Sequence, residues 1–450
     1  MTDVRVAAAR VLLTVERRES TLAAALDAAR PMVPSVDRAL LHELTIGTLR
    51  WRGAIDAVIA AAARRSVRDL DPEVLAVLRP GVYQLRYLTR VPPHAVIDSA
   101  VRAIRSMRRT SAGPLVNAVL RSVVRRGPAI ALPPRPSEPA TQQAWERYLS
   151  VTLSHPLWLV RRWIARYGPE AAEAWCTFNN STPDVTVRVT GDAGLGGVEA
   201  GLAAAGIAVR RARYVDDALE LPAGVLGRLP PEIAAQLRPQ DEAAQLVARM
   251  AEARAGQRVL DLCASPGGKT LVLADDMGAD GEAGLVAADF RESRVALLRE
   301  TMARSERRAA IVRLDARRPL PLQPAFDIVL IDAPCSGLGT LRREPDLKWS
   351  RTESDLPVMA ATQADMLAMA ADVVRPGGRL IYATCSSEPD ENDEVVAAFL
   401  ARDKRFSRHK APIARVPSEL VSGDGVLVTR PDRHGLEAFY AAVLDRLQAA

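Results

Sequence analysis

The first part of the chain carries a helical pattern of apolar residues. They recur at intervals of three and four positions, as at Ala8, Val11, Leu12 and Val15 and again at Leu40, Leu41 and Leu44. This spacing places apolar side chains on one face of a helix. Prolines mark the expected turns at Pro31, Pro34, Pro72, Pro80, Pro92 and Pro93. The pattern from Val4 to Arg126 therefore predicts an all-helical bundle of six or seven helices.

A proline-rich stretch from Gly127 to about Thr141 follows and is typical of a stiff linker. Beyond it the pattern is mixed. Pro156–Tyr167 and Val198–Ala205 have helical spacing, whereas Val185–Val189 and Ile207–Val209 are strand-like. This region predicts a small α+β module.

From about Gln240 strands and helices alternate. Short apolar runs predict strands at Arg258–Leu262, Gly284–Ala288, Ala310–Leu314, Phe326–Ile331 and Arg379–Ala383. Helical stretches accompany them at Lys269–Asp275, Glu292–Arg304, Ala361–Val374 and Asn392–Ala401. Such alternation predicts a Rossmann-like α/β fold with a parallel sheet covered on both faces. We therefore expect three domains, with boundaries at 1–130, 145–238 and 239–450.

Composition excludes several classes of protein. The 450 residues are 48% hydrophobic and 25% charged, as in ordinary globular proteins. No apolar stretch approaches the ~20 residues that cross a bilayer, and charged residues interrupt the N-terminal apolar runs. Four cysteines and five scattered histidines suit neither a disulfide scaffold nor a zinc site. We expect a cytoplasmic protein with no metal and no membrane partner, and a monomer is the favoured oligomeric state.

The positive charge is concentrated at the front of the chain. Residues 1–130 hold 21 arginines and 11 acidic residues, an excess of ten, whereas the whole chain carries a net charge of +6. Genomic base composition could explain arginine in place of lysine, because the chain has only four lysines, but not the local excess over acids. The basic block predicts a module that binds a polyanion, with nucleic acid favoured.

Residues suited to an adenosine-containing cofactor follow the first three predicted strands. The first strand leads into Cys263, Ala264, Ser265, Pro266, Gly267, Gly268 and Lys269. Two glycines there allow a ligand to approach the backbone, although a tight turn packed by glycine is the alternative. The spacing matches neither the dinucleotide fingerprint nor the phosphate-binding loop of ATPases. Asp289 after the second strand suits ribose hydroxyls, and Asp315 after the third suits an adenine amine. S-adenosylmethionine fits this set better than NAD or ATP.

Two cysteines follow the last two predicted strands. Cys335 lies in Asp332-Ala-Pro-Cys-Ser-Gly, and Cys385 lies in Thr-Cys-Ser. Cys263 also lies at a strand end, but it fits a buried packing role equally well, and we expect Cys176 to serve packing. Two cysteines beside a methyl donor suggest methylation of a pyrimidine at C5, because that carbon becomes nucleophilic once a thiolate adds to C6.

This chemistry assigns further roles to charged residues. Asp332 is placed to contact N3 of the pyrimidine and to stabilise charge in the ring. Lys269 is a candidate for the polarising cation. A thiol must be partly ionised to attack, so we expect dipoles or cations to lower the pKa of the nucleophilic cysteine.

At these residues the chain resembles the Sun (NSUN) family of RNA cytosine-C5 methyltransferases. The matching stretches are DLCASPGGKT (261–270), DAPCSGLGTLRREPDLKW (332–349) and YATCSSEPDENDEVV (382–396). The resemblance implies that S-adenosylmethionine is bound by Cys263–Lys269, Asp289, Asp315 and Asp332. It also implies that Cys385 is the nucleophile and that Cys335 assists product release.

The segments 37–56 and 91–121 resemble the helical NusB domain, an RNA-binding fold, and 154–168 and 239–248 also match its fusion to the catalytic module. Three segments depart from the family pattern: Arg188-Val-Thr190, Ser265 and Glu437-Ala-Phe-Tyr440. We expect none of the three to touch the chemistry.

The leading hypothesis is an enzyme that methylates C5 of a cytidine in small-subunit (16S) rRNA, with RNA as its partner. A tRNA cytosine-C5 methyltransferase stays open, because the catalytic motifs do not distinguish the two RNAs. A second class is a non-catalytic RNA-binding or assembly factor of the NusB type, which the intact cysteines and glycine turn disfavour.

Overall fold

The computed structural model describes residues 2–137, 139–190, 193–278 and 284–448. The chain divides into two compact units. The first comprises residues 1–181 and 341–353, and the second comprises 182–340 and 354–450. The predicted middle domain, 145–238, is divided by this boundary, so the three predicted domain boundaries stay a prediction.

The first unit is helical. Its helices before the boundary are α1 (Val4–Glu16), α2 (Leu22–Ala29), α3 (Arg38–Arg50), α4 (Arg52–Ala63), α5 (Pro72–Tyr87), α6 (Pro93–Ser106), α7 (Gly113–Arg126), α8 (Gln142–Arg147), α9 (Leu157–Tyr167) and α10 (Pro169–Asn180). Side-chain caps start several of them, as at Thr21, whose hydroxyl accepts from the Ala24 N–H. The seven helices of 4–126 confirm the predicted bundle.

Apolar stripes of these helices form one core. Leu41, Leu44, Ile55 and Leu78 are fully buried within it. Pro80 was expected to mark a turn, and that expectation is wrong: Pro80 lies inside α5. Buried apolar neighbours on both sides hold the helix together there, so packing outweighs the lost backbone donor.

The second unit contains two sheets. Its elements are β1 (Val185–Val189), α11 (Gly194–Ala204), β2 (Arg210–Arg211), β3 (Ala218–Leu221), α12 (Pro231–Ala234), β4 (Leu237–Pro239), α13 (Glu242–Arg249), β5 (Val259–Leu262), α14 (Gly268–Met277), β6 (Leu285–Asp289), α15 (Glu292–Ala303), β7 (Ala310–Arg313), β8 (Phe326–Asp332), α17 (Asp355–Val373), β9 (Val374–Thr384), α18 (Asp393–Arg402), β10 (Phe406–Arg408), β11 (Val426–Val428), α19 (Pro431–His434) and β12 (Tyr440–Arg446). The short α16 (Leu347–Ser350) lies in the segment 341–353 and belongs to the first unit.

The smaller sheet is antiparallel, with the order β2-β3-β1-β4. The strand at Val185–Val189 and the following helix agree with the predicted α+β module. The short strand expected at Ile207–Val209 is wrong, because the pairing falls on Arg210–Arg211, whose partners lie on β3.

The larger sheet has the order β10-β12-β9-β8-β5-β6-β7, with β11 paired to β12. The five predicted strands are β5 to β9, and they run parallel, as expected. The sheet as a whole is mixed, because β10, β11 and β12 pair antiparallel at one side. The prediction of a parallel sheet was therefore wrong at that side. Fully buried residues of β12, such as Val443, pack in the same core as β5 and β8.

The carboxyl ends of β5 to β9 lie at one edge of this sheet, where a doubly wound fold binds its ligand. The loops after these strands carry the residues singled out in the sequence. Within the described residues, no helix is long and apolar enough to cross a membrane.

Candidate active site

The loop after β5 turns tightly into α14. Cys263 and Gly267 both have positive φ, +61° and +111°, and Gly267 forms the N-terminal cap of the helix. A side chain on Gly267 would press on Leu298 and Thr301 of α15, so packing as well as conformation requires glycine there. The alternative of a tight, packed turn thus explains part of this motif.

Polar groups in this loop remain available to a ligand. The hydroxyl oxygen of Ser265 is buried and has no hydrogen-bond partner among the described residues. The first turn of any helix also leaves backbone N–H groups without helical partners. A buried polar atom without a partner is unfavourable unless something binds it. These donors, together with nearby carboxylates, suit the hydroxyl, amine and carboxylate groups of a nucleoside-linked amino acid.

Asp289 ends β6 beside this loop. One carboxylate oxygen accepts from the Ser265 N–H at 3.3 Å, and the other accepts from the Phe290 N–H at 2.8 Å. Arg294 lies 3.2 Å from the first oxygen. Asp289 therefore fixes the loop after β5 in addition to any role toward a ligand.

Asp315 follows β7, and its carboxylate is already paired with Arg317. Arg317 makes two hydrogen bonds of 2.8 Å with its carboxylate and also lies over the ring of Phe290. The hydrogen bond from Arg317 lowers the pKa of Asp315 from its usual value. In the free protein Asp315 is thus held as a carboxylate by an exposed arginine that a ligand amine would have to displace.

Lys269 and Asp332 form an ion pair across the ends of β5 and β8. The Lys269 Nζ lies 2.6 Å from Asp332 Oδ2, and both side chains are largely buried. Burial opposes the charged amine, but the Asp332 carboxylate outweighs burial, and the pKa of Lys269 is raised. Lys269 therefore stays protonated throughout the neutral range, as a polarising cation must.

The two cysteines at the ends of β8 and β9 lie in contact. The Cys335 and Cys385 Sγ atoms are 3.1 Å apart, and both thiols are free. A separation this short lets the two sulfurs reach adjacent carbons of one base. The structure thus brings together Cys335 and Cys385, as the sequence predicted.

The expected low pKa of the nucleophile is wrong for the free protein. The hydrogen bond with Cys335 and burial raise the pKa of the Cys385 thiol well above its usual value, whereas Lys269 opposes this rise. The neighbouring carboxylate of Asp332 adds to it. Cys385 is therefore a neutral thiol before ligands arrive.

Cys263 and Cys176 are buried thiols that take no part in the Cys335–Cys385 contact. Burial raises the pKa of Cys263 far above its usual range, and burial raises the pKa of Cys176 to about 12. Cys263 packs against the apolar core beneath the sheet. Packing is therefore the role that the structure supports for both thiols. Among the described residues, no group of three or more potential ligands could hold a metal ion.

Two segments that the sequence did not place at the site nevertheless reach it. Phe439 places its ring 5.6 Å from the Lys269 Nζ, and the Ala438 N–H donates to the Gly339 carbonyl at 3.0 Å. Any side chain on Gly339 would overlap the carbonyl oxygens of Ala438 and Cys385. The expectation that the departure at 437–440 lies away from the chemistry is therefore wrong.

Glu391 lies in the second segment that the sequence did not place at the site. It is fully buried and accepts hydrogen bonds from Ser336 and Ser386, the residues that follow the two cysteines. The acidic run in which it lies has the composition of a solvated surface, so composition alone could not single it out. Its position within the matching stretch 382–396, six residues after Cys385, was the available signal.

Three family models match consecutive parts of the chain. The NusB family model matches residues 2–125, the RsmF/B-like ferredoxin-like domain model matches 155–225, and the 16S rRNA methyltransferase RsmB/F model matches 248–445. The ribosomal RNA small subunit methyltransferase B of Pseudomonas putida (strain KT2440) is 37% identical over 88% of this chain and 89% of its own length. The protein of the same name from Vibrio cholerae serotype O1 is 32% identical over 99% and 98%.

Solved structures agree with the fold. The crystal structure of PH0851 covers 99% of both chains with a TM-score of 0.79 at 23% identity. NSun6 from Pyrococcus horikoshii, solved with SFG, covers 65% of this chain and 99% of its own, with a TM-score of 0.54 at 18% identity. The sequence relatives, which extend along nearly the whole chain, decide the family. This chain belongs to the RsmB/F family of RNA methyltransferases and carries their NusB and ferredoxin-like domains.

Proposed function

We propose that this protein transfers the methyl group of S-adenosylmethionine to C5 of a cytidine in small-subunit (16S) rRNA, through a covalent bond between Cys385 and C6. The observation that carries the proposal is the pair of free thiols 3.1 Å apart beside the Lys269–Asp332 ion pair. A methyltransferase that attacks a heteroatom needs no such pair. An rRNA substrate would place the enzyme in the cytoplasm.

The cofactor-binding residues follow from the loops after β5, β6 and β7. The turn Cys263, Ala264, Ser265, Pro266, Gly267, Gly268 and Lys269 and the carboxylates Asp289, Asp315 and Asp332 would hold S-adenosylmethionine. The buried hydroxyl of Ser265 supports this assignment, because nothing in the described protein satisfies it. When bound, S-adenosylmethionine supplies an electrophilic methyl group.

The protein residues around the base have separate roles in the reaction. Cys385 gives its proton to solvent, its sulfur bonds to C6, and the electron pair of the C5–C6 double bond becomes available at C5. Asp332 binds the N3 edge, and Lys269 holds Asp332 in place and offsets negative charge. After C5 carries the methyl group, Cys335, which must first give its own proton to solvent, takes the C5 proton. The electrons of the C5–H bond re-form the double bond, and the Cys385 sulfur leaves as a thiolate with the electrons of the C6–S bond.

The RNA must present an unstacked base, since addition to C6 occurs through a face of the ring and neighbouring bases cover both faces inside a helix. The arginine-rich front of the chain supports RNA backbone binding, because contacts to phosphates supply affinity without sequence information. Methylation of tRNA is the second candidate. The NusB match over residues 2–125 favours rRNA over tRNA for this chain.

Bisulfite sequencing of rRNA and tRNA, from cells with and without the gene, tests the proposal. We expect one cytidine of small-subunit rRNA to lose its protection when the gene is removed and to regain it with the wild-type gene. A gene encoding the Cys385→Ala variant should not restore it. Loss of protection only in tRNA would replace the substrate, and no change in either RNA would refute cytosine-C5 chemistry.

A further inference from the structure

Glu391 is a buried carboxylate between the two cysteine loops. It lies in the short turn between β9 and α18 and has no solvent-exposed surface. Its Oε1 accepts from the Ser336 N–H at 2.8 Å and from Gln363 Nε2 at 3.0 Å. Its Oε2 accepts from the hydroxyls of Ser336 and Ser386, both at 2.5 Å. All four donors are uncharged.

These contacts link the residues that follow Cys335 and Cys385. Ser336 follows Cys335, and Ser386 follows Cys385. The two hydroxyl oxygens are 3.1 Å apart, as are the two Sγ atoms. One carboxylate therefore joins the loop after β8 to the loop after β9, one residue away from each thiol.

Both hydroxyls are also fixed from their other side. The Leu338 N–H donates to Ser336 Oγ at 3.4 Å, and the Glu388 N–H donates to Ser386 Oγ at 3.1 Å. A serine hydroxyl has one proton to donate, and each directs it at Glu391. Because donors face both Glu391 oxygens, both must accept, and an amide NH₂ at either position would place a donor against donors.

Glu391 and its partner Gln363 are anchored in turn. The Tyr382 hydroxyl donates to the Glu391 carbonyl at 2.6 Å, and Gln363 Nε2 also donates to the Pro334 carbonyl at 3.0 Å. The loop that carries Cys335 is thus held on both sides. A buried carboxylate is stable only while all of its hydrogen-bond donors stay in place. Glu391 therefore holds the loops after β8 and β9 in position, and the donors on these loops hold Glu391.

We propose that Glu391 is the positioning residue of the methyl transfer and that it sets the separation of the Cys335 and Cys385 sulfurs. The proposal rests on the proposed function, because two thiols need a fixed separation only if both act on one base. Glu391 touches neither sulfur in the hydrogen-bond network and acts through Ser336 and Ser386.

Oxidation of the thiol pair measures this separation without any RNA. Diamide, an azo oxidant, converts two thiols to a disulfide: the thiols lose two protons and two electrons, and the N=N bond gains them as a hydrazine. In the full-length wild-type protein we expect a Cys335–Cys385 disulfide, mapped by mass spectrometry. The Glu391→Gln variant should form it about tenfold more slowly, because an amide NH₂ in place of one carboxylate oxygen cannot accept from its donors.

The sign of this effect is diagnostic. Removal of a buried negative charge favours thiolates, so an electrostatic effect alone would accelerate oxidation. Glu394→Gln is the matched control, since Glu394 lies three residues further on, exposed in the first turn of α18, and should leave the rate unchanged. Oxidation of Glu391→Gln at the wild-type rate or faster would overturn the proposal.

Serine variants test the same proposal if Glu391→Gln fails to fold. Ser336→Ala and Ser386→Ala each remove one hydroxyl from Glu391, whereas Ser387→Ala removes a neighbouring hydroxyl that bonds to Glu388. The first two should slow disulfide formation and the third should not. Equal rates in all three variants would contradict the proposal.

Kinetics separate this proposal from the proposed function. In Glu391→Gln we expect kcat to fall about tenfold or more, with KM for rRNA and Kd for S-adenosylmethionine unchanged. If the wild-type protein methylates no cytidine, the proposed function fails, while the oxidation rates still decide the role of Glu391. A fall in kcat without slower oxidation would also overturn the role in setting the separation.

Discussion

Two buried lysines with opposite surroundings differ in what they can do. Lys269 is paired with the Asp332 carboxylate, which outweighs burial and raises its pKa. Lys348 is almost fully buried in the helical unit among neutral acceptors: the side-chain oxygen of Asn180 at 2.8 Å and the carbonyls of Arg50 and Ser154 at 3.3 and 3.4 Å. Burial lowers its pKa to about 7.

The comparison teaches that burial alone does not identify a catalytic lysine. Both lysines lie in stretches that match the family, and both lie near a free cysteine that perturbs or is perturbed by them. A carboxylate partner makes Lys269 a permanent cation. Without one, Lys348 is a donor that fixes the segment 341–353 within the helical unit. Four predictions test this distinction, beginning with the largest effect.

Lys269→Met should reduce methyl transfer to rRNA by about a thousandfold. Removal of one preorganised charge from an active site typically lowers kcat by ~10²–10³-fold, and here it also leaves the Asp332 carboxylate without its ion-pair partner. Single-turnover rates measure the effect. The matched control is Lys404→Met, which removes an exposed amine and should keep the parent rate. Parental activity in Lys269→Met would remove Lys269 from the mechanism.

Lys348→Met should change the pH dependence of stability and leave the chemistry in place. The pKa of Lys348 is about 7 in the folded state against 10.5 unfolded, so the unfolded state binds more protons between these values. The stability of the wild type relative to Lys348→Met should therefore rise with pH from about 7 to 10, by up to about 1.4 kcal/mol per pH unit. Denaturant unfolding at each pH measures it, and a difference independent of pH would show that Lys348 is already a normal cation.

Alkylation of Cys385 by iodoacetamide should be slow at pH 7 and should accelerate as pH rises above 9. The hydrogen bond with Cys335, together with burial, keeps the thiol protonated in the free protein. Lys269→Met should slow alkylation further, because Lys269 is the group that opposes the raised pKa. Peptide mapping gives the rate at each pH. Fast alkylation at pH 7 would mean that the thiolate is already formed.

Arg317→Ala should have the smallest effect, a tightening of S-adenosylmethionine binding by a few-fold. Arg317 competes for the Asp315 carboxylate through an exposed ion pair, and solvent and salt screen such pairs. Asp315→Asn should instead weaken binding. Calorimetric titration with the cofactor measures both. Weaker binding by Arg317→Ala would show that the arginine itself contacts the ligand.

The sequence was sufficient for the parallel core and insufficient for the strands beside it. Strands such as Val259–Leu262 are continuous apolar runs, which is the pattern of a strand buried on both faces. The strand Tyr440–Arg446 reads YAAVLDR, and its alanines and leucine suit a helix equally well. Its antiparallel pairing with β9 is a tertiary contact that local pattern does not encode.

The residues of the site also fall into two groups, those that the sequence identified and those that it did not. Residues that carry chemistry by type, such as Cys335, Cys385 and Asp332, could be found because they stand at strand ends. Glu391 could not, because its burial depends on donors more than 25 positions away in the chain, at Ser336 and Gln363. The raised pKa of Cys385 likewise depends on a contact with Cys335 that is 50 positions distant.

Covalent trapping on RNA tests the central claim most directly. The Cys335→Ala variant, incubated with small-subunit rRNA and S-adenosylmethionine, should accumulate a protein–RNA adduct that survives a denaturing gel, because attack proceeds and release does not. The double variant Cys335→Ala/Cys385→Ala should form none. An adduct that persists without Cys385, or the absence of any adduct from Cys335→Ala, would contradict the assignment of the two thiols.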